Sequence, residues 1–225
     1  MRASLLSRLF VGLVLAATAA TSASASDAAA DAYLRGDHGA AFALWRERAD
    51  RGDVVAQFNA AILLDQGRGV ARDRGAAAHL YRRAAAQGYA RAAFNLAQML
   101  ADGDGVDRDA AAAADWYRAA AEAGDMLAQF ELGLLLAEGR EPLRPDPATA
   151  ARWFARAAAQ DHPQALFRLG TMYANGTGVA QDLARATELF ERADVALMSD
   201  ESNTSCTTQR SALRLAQCRR AVPRM

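Results

Sequence analysis

Few side chains in this sequence could do chemistry, and their spacing does not bring them together. Histidine occurs at His38, His79 and His162, at unrelated positions. A metal centre needs ligands that converge, such as two histidines four apart on one helix face, and no such spacing occurs. No Gly-x-Ser-x-Gly elbow or Cys–His pairing is present either. Every basic residue is arginine, which removes Ser-x-x-Lys nucleophiles, Schiff bases and G-x-x-x-x-G-K-[ST] phosphate loops at one stroke. The pairs Gly67-x-Gly69, Gly103-x-Gly105 and Gly176-x-Gly178 resemble nucleotide-binding glycines. Each follows a helical pattern, however, whereas dinucleotide loops follow a strand. They read as helix stops. Acidic side chains are plentiful, but a carboxylate pair for acid–base work needs a cleft to define it. The sequence therefore assigns no catalytic residue, no cofactor and no metal ligand.

What the sequence does specify is a repeating frame. Gly88 to Ala123, shifted back 36 residues, overlays Gly52 to Gln87, and shifted forward it overlays 124–160 and then 161–197. A fixed period of this size marks stacked copies of one supersecondary unit. Within 88–123, Ala92, Leu96, Met99 and Leu100 share one face of a first helix. Gly103 ends that helix, Asp109 caps a second, and Ala113, Trp116, Tyr117 and Ala120 form the inner face of the second. Asp73, Asp146 and Asp182 take the same capping position in the other units, and Pro147 and Pro163 suit first helical positions. The third unit is one residue longer and lacks the second glycine.

The residues QALFRLGTMYANGTGVAQD, Gln164 to Asp182, follow a pattern A-x-x-x-L-G-x-x-Y-x-x-G-x-G-V-x-x-D. On that pattern, repeated four times over about residues 40–195, the chain resembles the Sel-one-like repeat family, relatives of the tetratricopeptide repeat. Ala61 and Ala97 depart from it where the glycine after leucine is expected. The resemblance implies a binding role, with first helices lining a concave surface that holds peptides or partner domains. Some secreted, cysteine-rich relatives are linked with β-lactam binding or hydrolysis, but those carry a disulfide in each repeat, which this chain lacks.

Around the repeats lie two atypical ends. Arg2 and Arg8 precede the apolar run LFVGLVLAATAA, and Ala23-Ser24-Ala25 offers a cleavage site, so residues 1–25 read as a signal peptide cut after Ala25. No cysteine near the cut suggests a lipid anchor, and no other run is apolar enough to span a bilayer. The mature chain is thus expected in the periplasm or beyond, without stable membrane insertion. Removing the leader leaves a net charge of about −2, with both signs interspersed along the helices, which argues against nucleic acid as a partner. Residues 26–51 read as an irregular first unit, and 198–225 as a polar linker and a capping helix with five arginines. Cys206 and Cys218 are expected to form a disulfide, since an exported chain meets an oxidising compartment; alternatively Cys218 is a small apolar residue beside Leu215. The length suits a single domain.

Because the units are copies, their columns separate packing from recognition. Phe58, Phe94, Phe130 and Phe167 stay aromatic, as do Tyr81, Tyr117, Phe154 and Phe190; they read as core between neighbouring units. Four other columns vary, at helix offsets of 0, 4, 7 and 11 that share one stripe. From this stripe Asn59, Arg91, Asn95, Gln98, Glu131, Gln164 and Arg168 are the candidate partner-binding residues. Gln57 and Gln129 fall on the inner side, and the pattern gives no reason for them. The sequence is read as an all-α, right-handed α/α superhelical solenoid acting as an envelope scaffold for a protein or peptide partner. Other readings stay open: a regulator docking on the outer domain of a sensor kinase, an envelope enzyme of cell-wall or β-lactam chemistry, or a structural part of an envelope assembly.

Overall fold

The computed structural model describes residues 28–201, and among them are ten α-helices and no strand. This is an all-α helical repeat fold. The expected leader 1–25 and both cysteines lie outside the described residues. The helices gather into two compact units divided between Gln87 and Gly88, which is a repeat boundary. The chain length had suggested one domain, but stacked repeats touch only their neighbours and share no central core that would bind them all. Among the described residues no helix is long and apolar enough to cross a membrane.

The first unit holds α1 (Ala28–Leu34), α2 (His38–Asp50), α3 (Val54–Gln66) and α4 (Arg74–Ala86). Asp37, Asp53 and Asp73 cap α2, α3 and α4, each accepting from a backbone N–H three residues on at 2.9–3.0 Å. At the N-terminal end the Arg68 guanidinium donates to the Tyr33 hydroxyl at 2.9 Å and meets His38 Nε2 at 2.8 Å. Arg68 can only donate, so it holds that imidazole nitrogen as an acceptor and ties α1 to the turn after α3. The second glycine of that turn serves closeness as well as conformation. Gly69 has φ +70°, and a Cβ there would lie 2.4 Å from the Gly39 nitrogen at the start of α2. No other residue lets the two backbones approach so closely.

The second unit holds α5 (Ala90–Asp102), α6 (Ala110–Glu122), α7 (Met126–Glu138), α8 (Pro147–Ala158), α9 (Pro163–Asn175) and α10 (Leu183–Glu201). Asp109, Asp146 and Asp182 cap α6, α8 and α10 through side-chain bonds of 2.9–3.0 Å. Pro147 and Pro163 open α8 and α9, where a missing N–H costs nothing. Gly178 repeats the role of Gly69, since its Cβ would meet the Pro147 carbonyl carbon at 2.4 Å. α10 runs to Glu201, four residues into the stretch 198–225 read as linker; Ala196 to Glu201 contains no glycine or proline to stop it.

The aromatic columns pair differently from expectation. Phe58 meets Tyr81, Phe94 meets Tyr117, Phe130 meets Phe154 and Phe167 meets Phe190, at centroid distances of 5.4–5.8 Å. Each pair therefore joins the two helices of one repeat rather than neighbouring repeats. The departures at Ala61 and Ala97 follow this pairing. Where the column holds Gly133 and Gly170, a Cβ would sit 2.6 and 2.8 Å from the rings of Phe154 and Phe190. The two repeats with alanine carry Tyr81 and Tyr117 instead, whose rings must stand off by a methyl group. Phe130→Ala is expected to cost about 3–5 kcal/mol, as for emptying a large buried aromatic site, and a urea titration followed by circular dichroism measures it.

Candidate functional site

The glutamines on the inner side have a physical role at the repeat seam. In the first unit Gln57 Nε2 donates to the Ala49 carbonyl at 3.2 Å, and Gln57 Oε1 accepts from Gln87 Nε2 at 2.8 Å. In the second unit Gln129 donates to the Ala121 carbonyl at 3.0 Å and accepts from Gln160 at 2.9 Å. Both are buried polar groups, and each is satisfied at both ends of its amide. Ala93 and Leu166 hold the same position in the intervening repeats, and both are buried. The glutamines are thus structural.

The variable stripe remains, and the structure sorts its members. In the first unit Asn59 is 2% exposed, and its Oδ1 has no hydrogen-bond partner. It cannot face a partner, so the expectation for Asn59 fails; a helical offset gives direction around the helix but not what covers that direction. In the second unit Arg91, Gln164 and Arg168 are exposed, and Asn95, Gln98 and Glu131 are half-buried. The side chains of Asn95, Gln98, Gln164 and Arg168 make no hydrogen bond or ion pair among the described residues. Leu127, four residues before Glu131 on α7 and so on the same face, is 42% exposed.

Glu131 is the unusual member. Burial pushes its carboxyl above the ordinary glutamate value, and the charges of Asp102 and Glu138 push it further. Arg140 offsets part of this, but its guanidinium is engaged by Glu138 at 3.2 Å. Glu131 and Asp102 in turn act on Tyr117, whose phenol burial first of all drives upward. The stripe thus combines a half-buried carboxylate that forms no ion pair among the described residues, neutral amides and an open leucine. Asp102 and Glu138 share one repeat column and were legible as such, whereas Arg140 lies in the irregular turn of the third repeat, where the repeat pattern places nothing.

The Sel1 repeat matches this chain at residues 54–89, 90–125, 127–162 and 163–193, more than half of its length. The chain belongs to the Sel1 repeat family. No curated protein matches it in sequence. Among solved structures, a Sel1 repeat protein from Oxalobacter formigenes is 26% identical over 75% of this chain and 72% of that one, with a TM-score of 0.70. A protective antigen of uropathogenic Escherichia coli strains, displaying an SLR fold, is 24% identical over 85% of this chain but only 44% of that one, with a TM-score of 0.72. MamA is 16% identical over 79% of this chain and 99% of that one, with a TM-score of 0.54. The last two are likenesses of fold alone. Sel1 repeat proteins generally mediate protein–protein interaction.

In this Sel1 repeat chain His38 and His162 serve the scaffold. His38 is bound to Arg68, His79 is exposed on α4, and His162 caps α9. Among the described residues no group of three or more His, Cys, Asp or Glu side chains could hold a metal ion. His162 Nδ1 accepts from the Ala165 N–H at 3.2 Å, and its ring stacks on Phe130 at 4.6 Å. Accepting at Nδ1 requires the neutral ring, and burial holds its pKa below the ordinary histidine value. A lowered folded value means that the unfolded chain binds the proton first, so stability falls as pH drops below about 6.5 and on through the folded value. The expected slope is at most about 1.4 kcal/mol per pH unit for one proton. His162→Asp keeps an acceptor at the cap and should remove that slope between pH 7 and 5, whatever it does to absolute stability; urea midpoints against pH for both proteins provide the check.

Proposed function

We propose that this protein is exported and serves in the cell envelope as a scaffold that binds a protein or peptide partner on the first-helix face of α5, α7 and α9. The observation that carries the reading is Glu131. A carboxylate held half-buried among other acids lowers stability unless something pairs with it, and among the described residues Arg140 offsets this only in part while its guanidinium is engaged by Glu138. A partner bringing a cation to Glu131, an apolar group to Leu127 and backbone amides to Asn95 and Gln98 would satisfy what the fold leaves open. Arg91 and Arg168, exposed on either side in sequence, would then read acidic groups on the same partner. This role needs no catalytic residue. Export rests on Arg2, Arg8, the apolar run and the Ala23-Ser24-Ala25 site.

Affinity capture from envelope extracts followed by mass spectrometry tests the reading. One recurrent protein partner supports it, while turnover of cell-wall or β-lactam substrates by the purified protein would point to an enzyme instead. Against an identified partner, Glu131→Arg combined with Arg168→Glu should weaken binding at least ten-fold with helix content unchanged. Arg168 is exposed and Glu131 half-buried, so a urea titration of the variant beside the calorimetric binding titration separates lost recognition from lost fold. N-terminal sequencing of the exported form should find Ser26 first, and Met1 in a membrane fraction would overturn the localisation.

A further inference from the structure

The second helices of the second unit do not carry the same side chains toward their neighbours. The column just before Tyr117, Phe154 and Phe190 reads Trp116, Trp153 and Leu189 on α6, α8 and α10. On α8, Trp153 is half-buried, and the Arg156 guanidinium lies over its ring at 4.6 Å from the centroid. On α6, Arg118 and Glu122 hold the places that Ala155 and Ala159 take on α8. Between α8 and α10 every one of these groups is therefore cut back, the tryptophan to leucine and the two long side chains to alanine. An open cleft of about 570 Å³ results, lined by Ala155, Ala159 and Leu189 together with Glu188 and Arg192. Ligand pockets commonly hold about 300–1,000 Å³. One part of the α8 arrangement survives. Arg192 stands three residues after Leu189, as Arg156 does after Trp153. Bonds to the Ala158 carbonyl at 3.0 Å and the Asp161 carboxylate at 2.7 Å fix its guanidinium. No aromatic ring lies under it among the described residues. The cation is in place and the ring is missing.

We infer that this cleft receives a tryptophan side chain from a protein partner. The repeats are copies, and the one before the last shows what this position takes when it is filled: an indole beneath a guanidinium. A guanidinium whose donors are engaged at its edge keeps its faces open for stacking. An indole N–H also needs an acceptor once it leaves water. Glu188 lines the cleft and makes no hydrogen bond or ion pair among the described residues, so its carboxylate supplies that acceptor. A phenylalanine would leave the carboxylate unmet, and an aliphatic side chain would forgo the stacking as well. Trp45, Trp116 and Trp153 are held in helices of this chain, so the ring comes from another polypeptide. A large aromatic seated in a pocket is the usual anchor of a protein interface. The cleft lies on the second helices, apart from the first-helix face of α5, α7 and α9, and either surface could fail without the other.

The probe is N-acetyl-tryptophanamide, an indole side chain with a peptide bond on each side, titrated into the full chain while backbone amide NMR shifts are followed. Saturable shifts confined to 155–161 and 182–192 are expected, with N-acetyl-leucinamide binding at least about ten-fold more weakly. Leu189→Trp, which gives the chain its own indole, should abolish them. So should Ala155→Arg with Ala159→Glu, which restores the side chains found on α6. Ala155 and Ala159 are exposed, so this double variant decides the matter even where Leu189→Trp loses helix content. No saturable shift, an equal response to the leucine amide, or shifts that survive the double substitution would each overturn the proposal. Tighter binding of free tryptophan than of its amide would overturn it too, by making the cleft a site for the free amino acid.

Discussion

Stacking of the repeats depends on carbonyl oxygens at the C-terminal ends of the second helices. Such an end has acceptors that the helix itself cannot fill, and in a repeat array it lies against the next repeat rather than water. The turn fills one lone pair: Gly52 N–H reaches Ala49, Gly124 N–H reaches Ala121 and Asp161 N–H reaches Ala158, at 3.0–3.1 Å. The next repeat supplies a second donor. Gln57 and Arg83 both reach the Ala49 oxygen, Gln129 reaches Ala121, and Arg192 reaches Ala158. A buried amide or a part-buried guanidinium that must meet one oxygen fixes how far one repeat can slide along the other, which alanine-on-alanine contact would not do. Apolar burial supplies the drive to stack, and these bonds supply the register.

Most of the frame was legible because it repeats. The period, the aspartate caps and the two proline starts could be read from spacing alone, since each is a local demand of a helix end. The Sel1 repeat family, and with it the all-α repeat fold, was legible for the same reason. What could not be read was anything set by the neighbouring element. Gln57 and Gln129 look misplaced until the Ala49 and Ala121 carbonyls are known to lie opposite them, and Ala93 and Leu166 in the intervening repeats hide the pattern. The aromatic columns were legible as core, but which ring meets which depends on the helix–helix approach that Gly133 and Gly170 permit. Asn59 shows the same gap from the other side. Its offset matches Asn95 and Glu131, and only its surroundings make it buried.

This division of labour bears on function. The inner positions are constrained from both directions, by the helix that carries them and by the repeat they must meet, so they recur as alanine, phenylalanine or tyrosine. The outward stripe on α5, α7 and α9 answers to neither constraint and is free to differ at every repeat. A chemical site would need several groups to converge on one point, and a repeat array instead spaces its side chains along a line. Recognition of an extended partner suits that geometry, because each repeat contributes a contact and the order of contacts gives selectivity. Glu131 is where this face departs furthest from what stability alone would select.

Two of the perturbed groups in the second unit, Glu131 and His162, pull stability in opposite directions with pH. Glu131 has its carboxyl raised, so its contribution is favourable below about pH 4.5, where both states are protonated, and is lost as pH rises through the folded value. His162 has its ring lowered, so its contribution is full above about pH 6.5 and is lost as pH falls through the folded value. On acidification from neutrality, the carboxylate penalty is relieved while the cap of α9 is weakened. The two contributions therefore oppose each other as the pH falls. A cation from a bound partner would change only one side of this balance. It would stabilise ionised Glu131, lower its pKa and leave the acid sensitivity of the histidine cap unopposed by that carboxylate.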